Sequence, residues 1–266
     1  STPSRLVNSL LAGPSAWLFS GVKSAIPEGT QLTISAVRIL NRVAQVDLDA
    51  DALAAGQQHR RNMLGQLRST LLQLPGVDDI SLSVNGAFQD IAPGGAELND
   101  EMSLSYVLTP TGVEPLTSIG SMPLSGTQAM VANYNPELIA ITDNGDRVAF
   151  TTAKGVFELT NQSLAVEITQ LSSLIDVIAL DYDKSGSLWA FPADASLSVE
   201  VYDQTTVVRT LASPFLGVRL AAAIAPEGTR IVQSIQTDDA DSFLDVGVVL
   251  RDANSIPLSL NEGLRI

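Results

Sequence analysis

Three glycines frame the second half of this chain. Gly145, Gly186 and Gly228 recur at intervals of 41 and 42 residues, and each falls in the turn of a strand–turn–strand unit. The units read IAITDNGDRVAF (Ile139–Phe150), IALDYDKSGSLWA (Ile178–Ala190) and AAAIAPEGTRIV (Ala221–Val232). Asp, Asn and Gly supply the turn, and β-branched and apolar residues flank it. A further strand or strand pair follows each unit: Val156–Thr160, Ser198–Tyr202 with Val207–Thr210, and Val246–Leu250.

A period of about 40–45 residues with four strands per repeat is the pattern of a β-propeller of WD40 type. The Trp-Asp dipeptide itself is absent, so the blades are WD40-like. Leu104–Leu116 supplies one more strand pair before the first repeat. Three repeats do not close a ring, which takes about four to eight blades. The expectation is therefore a partial propeller belonging to a longer protein.

The first part of the chain has a different texture. Val43–Leu48 alternates, with Ala44, Val46 and Leu48 on one face. A helix is expected over about 57–74, since Leu64, Leu67, Leu71 and Leu74 share a face that Met63 widens. Pro75-Gly76 ends it. A strand with Ile80, Leu82 and Val84 inward follows, and Asn85-Gly86 turns the chain. Before this unit, helices are expected over Ser4–Leu11 and from Ser15 to about Ala25, the second carrying Trp17, Leu18 and Val22. Gln31–Leu40 reads as a strand whose apolar register shifts midway, so a bulge or bend is expected near Ser35-Ala36. The Pro93-Gly94-Gly95 stretch marks a linker. The division is an α+β domain over 1–91, a linker over 92–103 and an all-β region over 104–266.

Composition narrows the functional classes. The chain carries 29 Asp plus Glu against 15 Lys plus Arg, a net charge of −14. That balance argues against nucleic acid or anionic lipid as partner, because phosphates need cationic neutralisation. With no cysteine, thiolate nucleophiles, disulfides and cysteine-ligated metals are out of reach. No run approaches the roughly 20 apolar residues of a membrane helix. The chain starts at Ser1 without Met or the basic and apolar regions of a signal peptide, so any such leader is expected to be gone already.

Candidate chemistry is sparse. His59 is the only histidine and sits beside Arg60 and Arg61 on the expected helix, a natural solvated position. Asp47, Asp49 and Asp51 alternate like the first ligands of an EF-hand, but Ala52 stands where glycine is required and Gln58 where glutamate is. Asp181, Asp183 and Ser185 before Gly186 imitate that loop more closely, yet position twelve is Pro192. Both read as turns built on Asp and Gly geometry. Asp238, Asp239 and Asp241 read as a solvated loop, and Trp17 and Trp189 as packing residues. No catalytic, cofactor-binding or metal-ligating residue is assigned.

One set of segments carries a family likeness. Leu11-Ala12-Gly13-Pro14, Ile26–Thr30 (IPEGT), Val43–Asp49 (VAQVDLD) and the helix running into Leu74-Pro75-Gly76-Val77 resemble the GerMN domain, an α+β module related to ring-building motifs. Followed by propeller-like repeats, the domain order resembles the LpqB family of actinobacterial lipoproteins. The resemblance implies an extracytoplasmic protein, tethered to the cell membrane by a lipidated cysteine, that acts as a non-enzymatic accessory to the MtrA-MtrB two-component system. Its implied partner is the extracellular domain of the sensor histidine kinase. The chain departs from the family in lacking the lipobox cysteine, the domain expected before the GerMN unit and the later blades, so the anchor belongs to the parent protein. Two other readings stand beside this one: a glycan-binding or hydrolytic propeller, with its site at the channel mouth, and a self-assembling structural module.

Overall fold

The computed structural model describes residues 2–92, 105–116, 122–162, 165–203, 208–239, 241–252 and 254–266. The chain divides into two compact units, Ser1–Glu101 and Met102–Ile266. From residue 93 on, the expected linker lies outside the described residues.

The first unit places helices on one face of a mixed four-stranded sheet. Its elements are α1 (Thr2–Leu11), β1 (Arg38–Leu40), β2 (Val43–Leu48), a 3-10 turn (Ala50–Ala54), α2 (Gln57–Leu71), β3 (Asp79–Val84) and β4 (Ala87–Phe88). The strand order is β1-β2-β3-β4, with β2 and β3 parallel and the outer pairs antiparallel. The α2 crossover permits the parallel pairing. Ala44, Val46 and Leu48 alternate inward beside Ile80, Leu82 and Val84, and Met63, Leu64, Leu67 and Leu71 of α2 close the core above them. Asn41 and Arg42 both take positive φ, the geometry of a two-residue turn between β1 and β2.

Two expectations are corrected here. Ser15–Ala25 is not a helix: Leu18, Phe19 and Gly21 donate to carbonyls three residues back, and the turns do not propagate. Gly21 lowers helix propensity in mid-segment, and with Phe19 74% exposed the segment has little core contact to offset that cost. The strand expected over Gln31–Leu40 has the expected bend at Ser35, but it is interrupted there and not continuous. Leu32 bridges Leu48, the chain bends, and β1 resumes at Arg38.

The second unit is a series of four-stranded antiparallel meanders. A hairpin, β5 (Tyr106–Thr109) and β6 (Gly112–Pro115), leads to α3 (Thr127–Tyr134). The first sheet holds β7 (Ile139–Ile141), β8 (Arg147–Thr152), β9 (Gly155–Gln162) and β10 (Ala165–Ser172). The second holds β11 (Val177–Tyr182), β12 (Leu188–Pro192), β13 (Val199–Tyr202) and β14 (Val208–Leu211). The third holds β15 (Val218–Ile224), β16 (Arg230–Gln236), β17 (Ser242–Arg251) and β18 (Pro257–Arg265). Gly145, Gly186 and Gly228 occupy equivalent turns at φ 71°, 78° and 72°, a conformation that favours glycine. These are WD40-like blades, and an α+β unit followed by a partial propeller is the observed fold class. α3 is an addition, since the sequence offers no helical stripe there.

Packing runs from sheet to sheet. Val148, Phe150, Phe157 and Leu159 on one face of the first sheet pack with Val113 of β6 and Met130 of α3. Its other face offers Ala140, Ala149 and Val156 to Leu188, Ala190 and Tyr202 of the second sheet. The opposite face of that sheet offers Trp189, Phe191, Val199, Val201 and Leu211 to Ile224, Ile231, Val249 and Leu260 of the third.

Candidate functional site

Buried polar seams join the propeller sheets. Between the first and second, the Arg147 guanidinium donates to Glu158 Oε1 through Nε (3.0 Å) and Nη2 (2.7 Å), and through Nη1 to the Gly186 carbonyl (2.7 Å). The Tyr182 hydroxyl donates to the same Glu158 oxygen at 2.5 Å. Burial and the Glu158 charge push the Tyr182 phenol well above its usual pKa. Burial opposes the Arg147 charge, but Tyr182 and Glu158 outweigh it and hold that pKa above its ordinary value.

Between the second and third sheets, Asp183 is the hub. Its Oδ1 accepts from the Ser185 and Ser187 backbone N–H groups and the Ser185 hydroxyl. Its Oδ2 accepts from Trp189 Nε1 (2.9 Å) and Arg251 Nη2 (2.5 Å). Beside it, Asp181 Oδ2 takes the Ile224 N–H at 3.3 Å, and burial raises the Asp181 pKa against the lowering effect of that bond. Arg219 is buried, and it donates to the Pro192 carbonyl and to Gln233 Oε1. Burial draws its pKa down to about 10, with only a modest opposing pull from Asp194.

These contacts settle the acidic motifs. Asp181, Asp183 and Ser185 are turn and seam residues, and the Asp183 oxygens point at N–H and O–H donors where a cation site needs free lone pairs. Asp47 takes the Gly86 N–H and the Thr33 hydroxyl, while Asp49 takes the Asp51 and Gln31 N–H groups. Asp238, Asp239 and Asp241 occupy the β16–β17 loop. Among the described residues, no group of three His, Asp or Glu is arranged to hold a metal. His59 is exposed on α2, Trp17 is half-buried, and Trp189 is buried under Arg251, whose guanidinium carbon lies 5.7 Å from the ring centre. The seam residues Arg147, Glu158, Arg219 and Arg251 went unread in the sequence. Their available signal was a lone charge inside an apolar strand run, as in VRLAAAI and GVFELTNQ.

What remains on the second unit is a surface. Register makes Ala149, Trp189 and Val232 equivalent, since they pair with Ala140, Asp181 and Ala223 on the preceding strands. Ala149 and Trp189 are wholly buried against the next sheet, whereas Val232 is 39% exposed. Val232, Val246 and Leu264 lie opposite one another across β16–β18, and Leu244 follows on the same face. This aliphatic face of the third sheet is a candidate contact surface of the unit. The matching end of the first sheet is already covered by β6 and α3.

Comparison with known proteins bears on the first unit. Residues 1–90 match the Germane family model, described as sporulation and spore germination. The chain is similar to Lipoprotein LpqB of Thermobifida fusca (strain YX), at 38% identity over 82 residues, which cover 31% of this chain and 13% of that protein. The LpqB-like, GerMN-bearing character expected from the sequence is thus borne out, although the match spans only a small part of that relative's length. Among solved structures, similarity extends to the nidogen/laminin complex (10% identity, 59% of this chain and 78% of that chain, TM-score 0.38). It extends also to virginiamycin B lyase from Staphylococcus aureus (14% identity, 48% and 54%, TM-score 0.31). No helix among the described residues is long and apolar enough to cross a membrane.

Proposed function

We propose that this chain is a non-enzymatic interaction module of an extracytoplasmic, membrane-anchored lipoprotein, and that its partner is the extracellular domain of the sensor histidine kinase of the MtrA-MtrB system. The observation that carries this reading is the 38% identity over 82 residues with Lipoprotein LpqB. The chemistry of the second unit is consistent with it. The carboxylates that the sequence brought forward serve turns and seams, and the leftover feature is an aliphatic contact surface. An accessory protein of this kind acts by binding one state of the kinase sensor domain more tightly than another, because only differential affinity shifts an equilibrium.

The test is titration calorimetry of the 266-residue chain against the purified extracellular domain of the kinase. Saturable heat at micromolar concentrations supports the reading. Silence at high micromolar concentration in both directions of titration removes the kinase as partner.

A further inference from the structure

A cleft of about 450 Å³ opens in the first unit between α1 and the chain entering the sheet edge. Its floor is Leu11 and Leu32, and its polar lining is Asn8, Gln31 and Ser35. The volume falls in the range of about 300–1,000 Å³ usual for ligand sites.

Two features define what fits. The first is a free strand edge. The Thr33 N–H donates to the Asp47 carbonyl and the Asp49 N–H to the Gln31 carbonyl, both at 2.9 Å. These bonds flank the Leu32–Leu48 bridge, so antiparallel alternation turns the N–H and C=O of Leu32 away from β2. Neither group has a partner among the described residues. The same edge continues past the bend into β1, where Ile39 and Leu40 are exposed, as is Ile34 before it.

The second feature is charge. No Asp, Glu, Lys or Arg lines the cleft, although the chain as a whole carries −14. The Asn8, Gln31 and Ser35 side chains make no hydrogen bond within the described fold. Neutral donors and acceptors over an aliphatic floor select an uncharged occupant with its own hydrogen-bonding groups.

We propose that this cleft binds an extended, uncharged peptide segment of a partner protein as an added strand. The segment's backbone pairs with the N–H and C=O of Leu32, alternate side chains enter over Leu11 and Leu32, and the Asn8 and Gln31 amides meet its remaining polar groups. Main-chain pairing gives such a site its affinity and the alternate pockets give its selectivity. A sugar would use the amides and the hydroxyl but has no need of the unpaired Leu32 backbone, which is why the peptide is favoured. This inference is independent of which protein the partner is.

The experiment follows amide resonances of the full 266-residue chain with three probes: capped Ser-Val-Thr-Val-Ser, the same peptide N-methylated at the central residue, and a cell-wall disaccharide. The expected result is saturable perturbation at Leu32, Gln31 and Ser35 by the first peptide, weakened roughly tenfold by N-methylation, the loss of one well-made contact. Ala12→Phe, which fills the cleft from an exposed turn position just past the end of α1, abolishes the perturbation and leaves the unfolding midpoint in place. Disaccharide binding at these residues, indifference to N-methylation, or no perturbation by either peptide at millimolar concentration overturns the proposal.

Discussion

The Arg251 guanidinium crosses from the third propeller sheet to the carboxylate of Asp183 in the second, and the Asp183 side chain is wholly shielded from water. Arg251 also holds the carbonyls of Gly228 and Ser255, at 2.8 Å and 2.6 Å, so one side chain ties two turns and a neighbouring sheet. A buried charge is tolerable only with every lone pair engaged, and Asp183 meets that condition with five donors.

Truncating Asp183 to Ala should therefore cost about 3–5 kcal/mol, because it strands the Arg251 charge and the Trp189 N–H together. Adding Arg251→Met should recover part of the loss, which makes the pair strongly non-additive. Urea denaturation of the two single variants and the double variant measures both effects. Additive losses, or a loss from Asp183→Ala below about 1 kcal/mol, would show that the seam contributes little.

Asp181 carries a prediction in pH. Burial raises its folded-state pKa above the unfolded value, so the ionised carboxylate disfavours the folded state. That penalty is absent below the unfolded value of about 3.9 and complete above the folded pKa. Asp181→Asn keeps an oxygen for the Ile224 N–H and removes the charge. It should raise the thermal midpoint at neutral pH, and the gain should shrink to nothing as pH falls below about 4. A gain of equal size at both extremes would refute burial as its cause.

How much of this was legible in sequence follows from the range of each interaction. β2, α2 and β3 were readable because periods of two and 3.6 are local, and Leu64, Leu67 and Leu71 do share the core face. The repeat was readable because Gly145, Gly186 and Gly228 meet a backbone demand that few residues can. β18 was missed because Pro257, Asn261 and Gly263 dilute its β signal. α3 was missed because only Thr127 and Met130 of its eight residues are buried, which leaves no apolar stripe to read. Its anchor is tertiary: the Thr127 hydroxyl accepts from the Val113 N–H and donates to the Leu124 carbonyl. The seams were invisible for a similar reason. Asp183 and Arg251 lie 68 residues apart, and only the stacking of the sheets brings them together.

Gly155 turns the chain from β8 to β9 at φ +127°, and a Cβ there would stand 2.1 Å from the Ser172 carbonyl oxygen. Neither the backbone angle nor the neighbouring carbonyl can accommodate a methyl group, so Gly155→Ala should cost at least about 1–3 kcal/mol. The readout is the chemical denaturation midpoint. A change within about 0.5 kcal/mol would mean that the turn relaxes freely.

The open face of the third sheet makes its own prediction, through two leucines on corresponding faces of successive sheets. Leu211 of β14 is 3% exposed beneath the third sheet, while Leu264 of β18 is 46% exposed with nothing described above it. Leu211→Ala removes a packed side chain and should cost about 2–5 kcal/mol. Leu264→Ala removes one that water already reaches, so its cost in the isolated chain should stay within about 0.5 kcal/mol. The same substitution should weaken whatever binds over Val232, Leu244 and Leu264, and with it the uptake of a hydrophobic dye. Denaturation midpoints and dye fluorescence on the two variants separate the cases. A Leu264→Ala loss as large as that of Leu211→Ala would show that this face is already covered in solution, for example by a second copy of the chain.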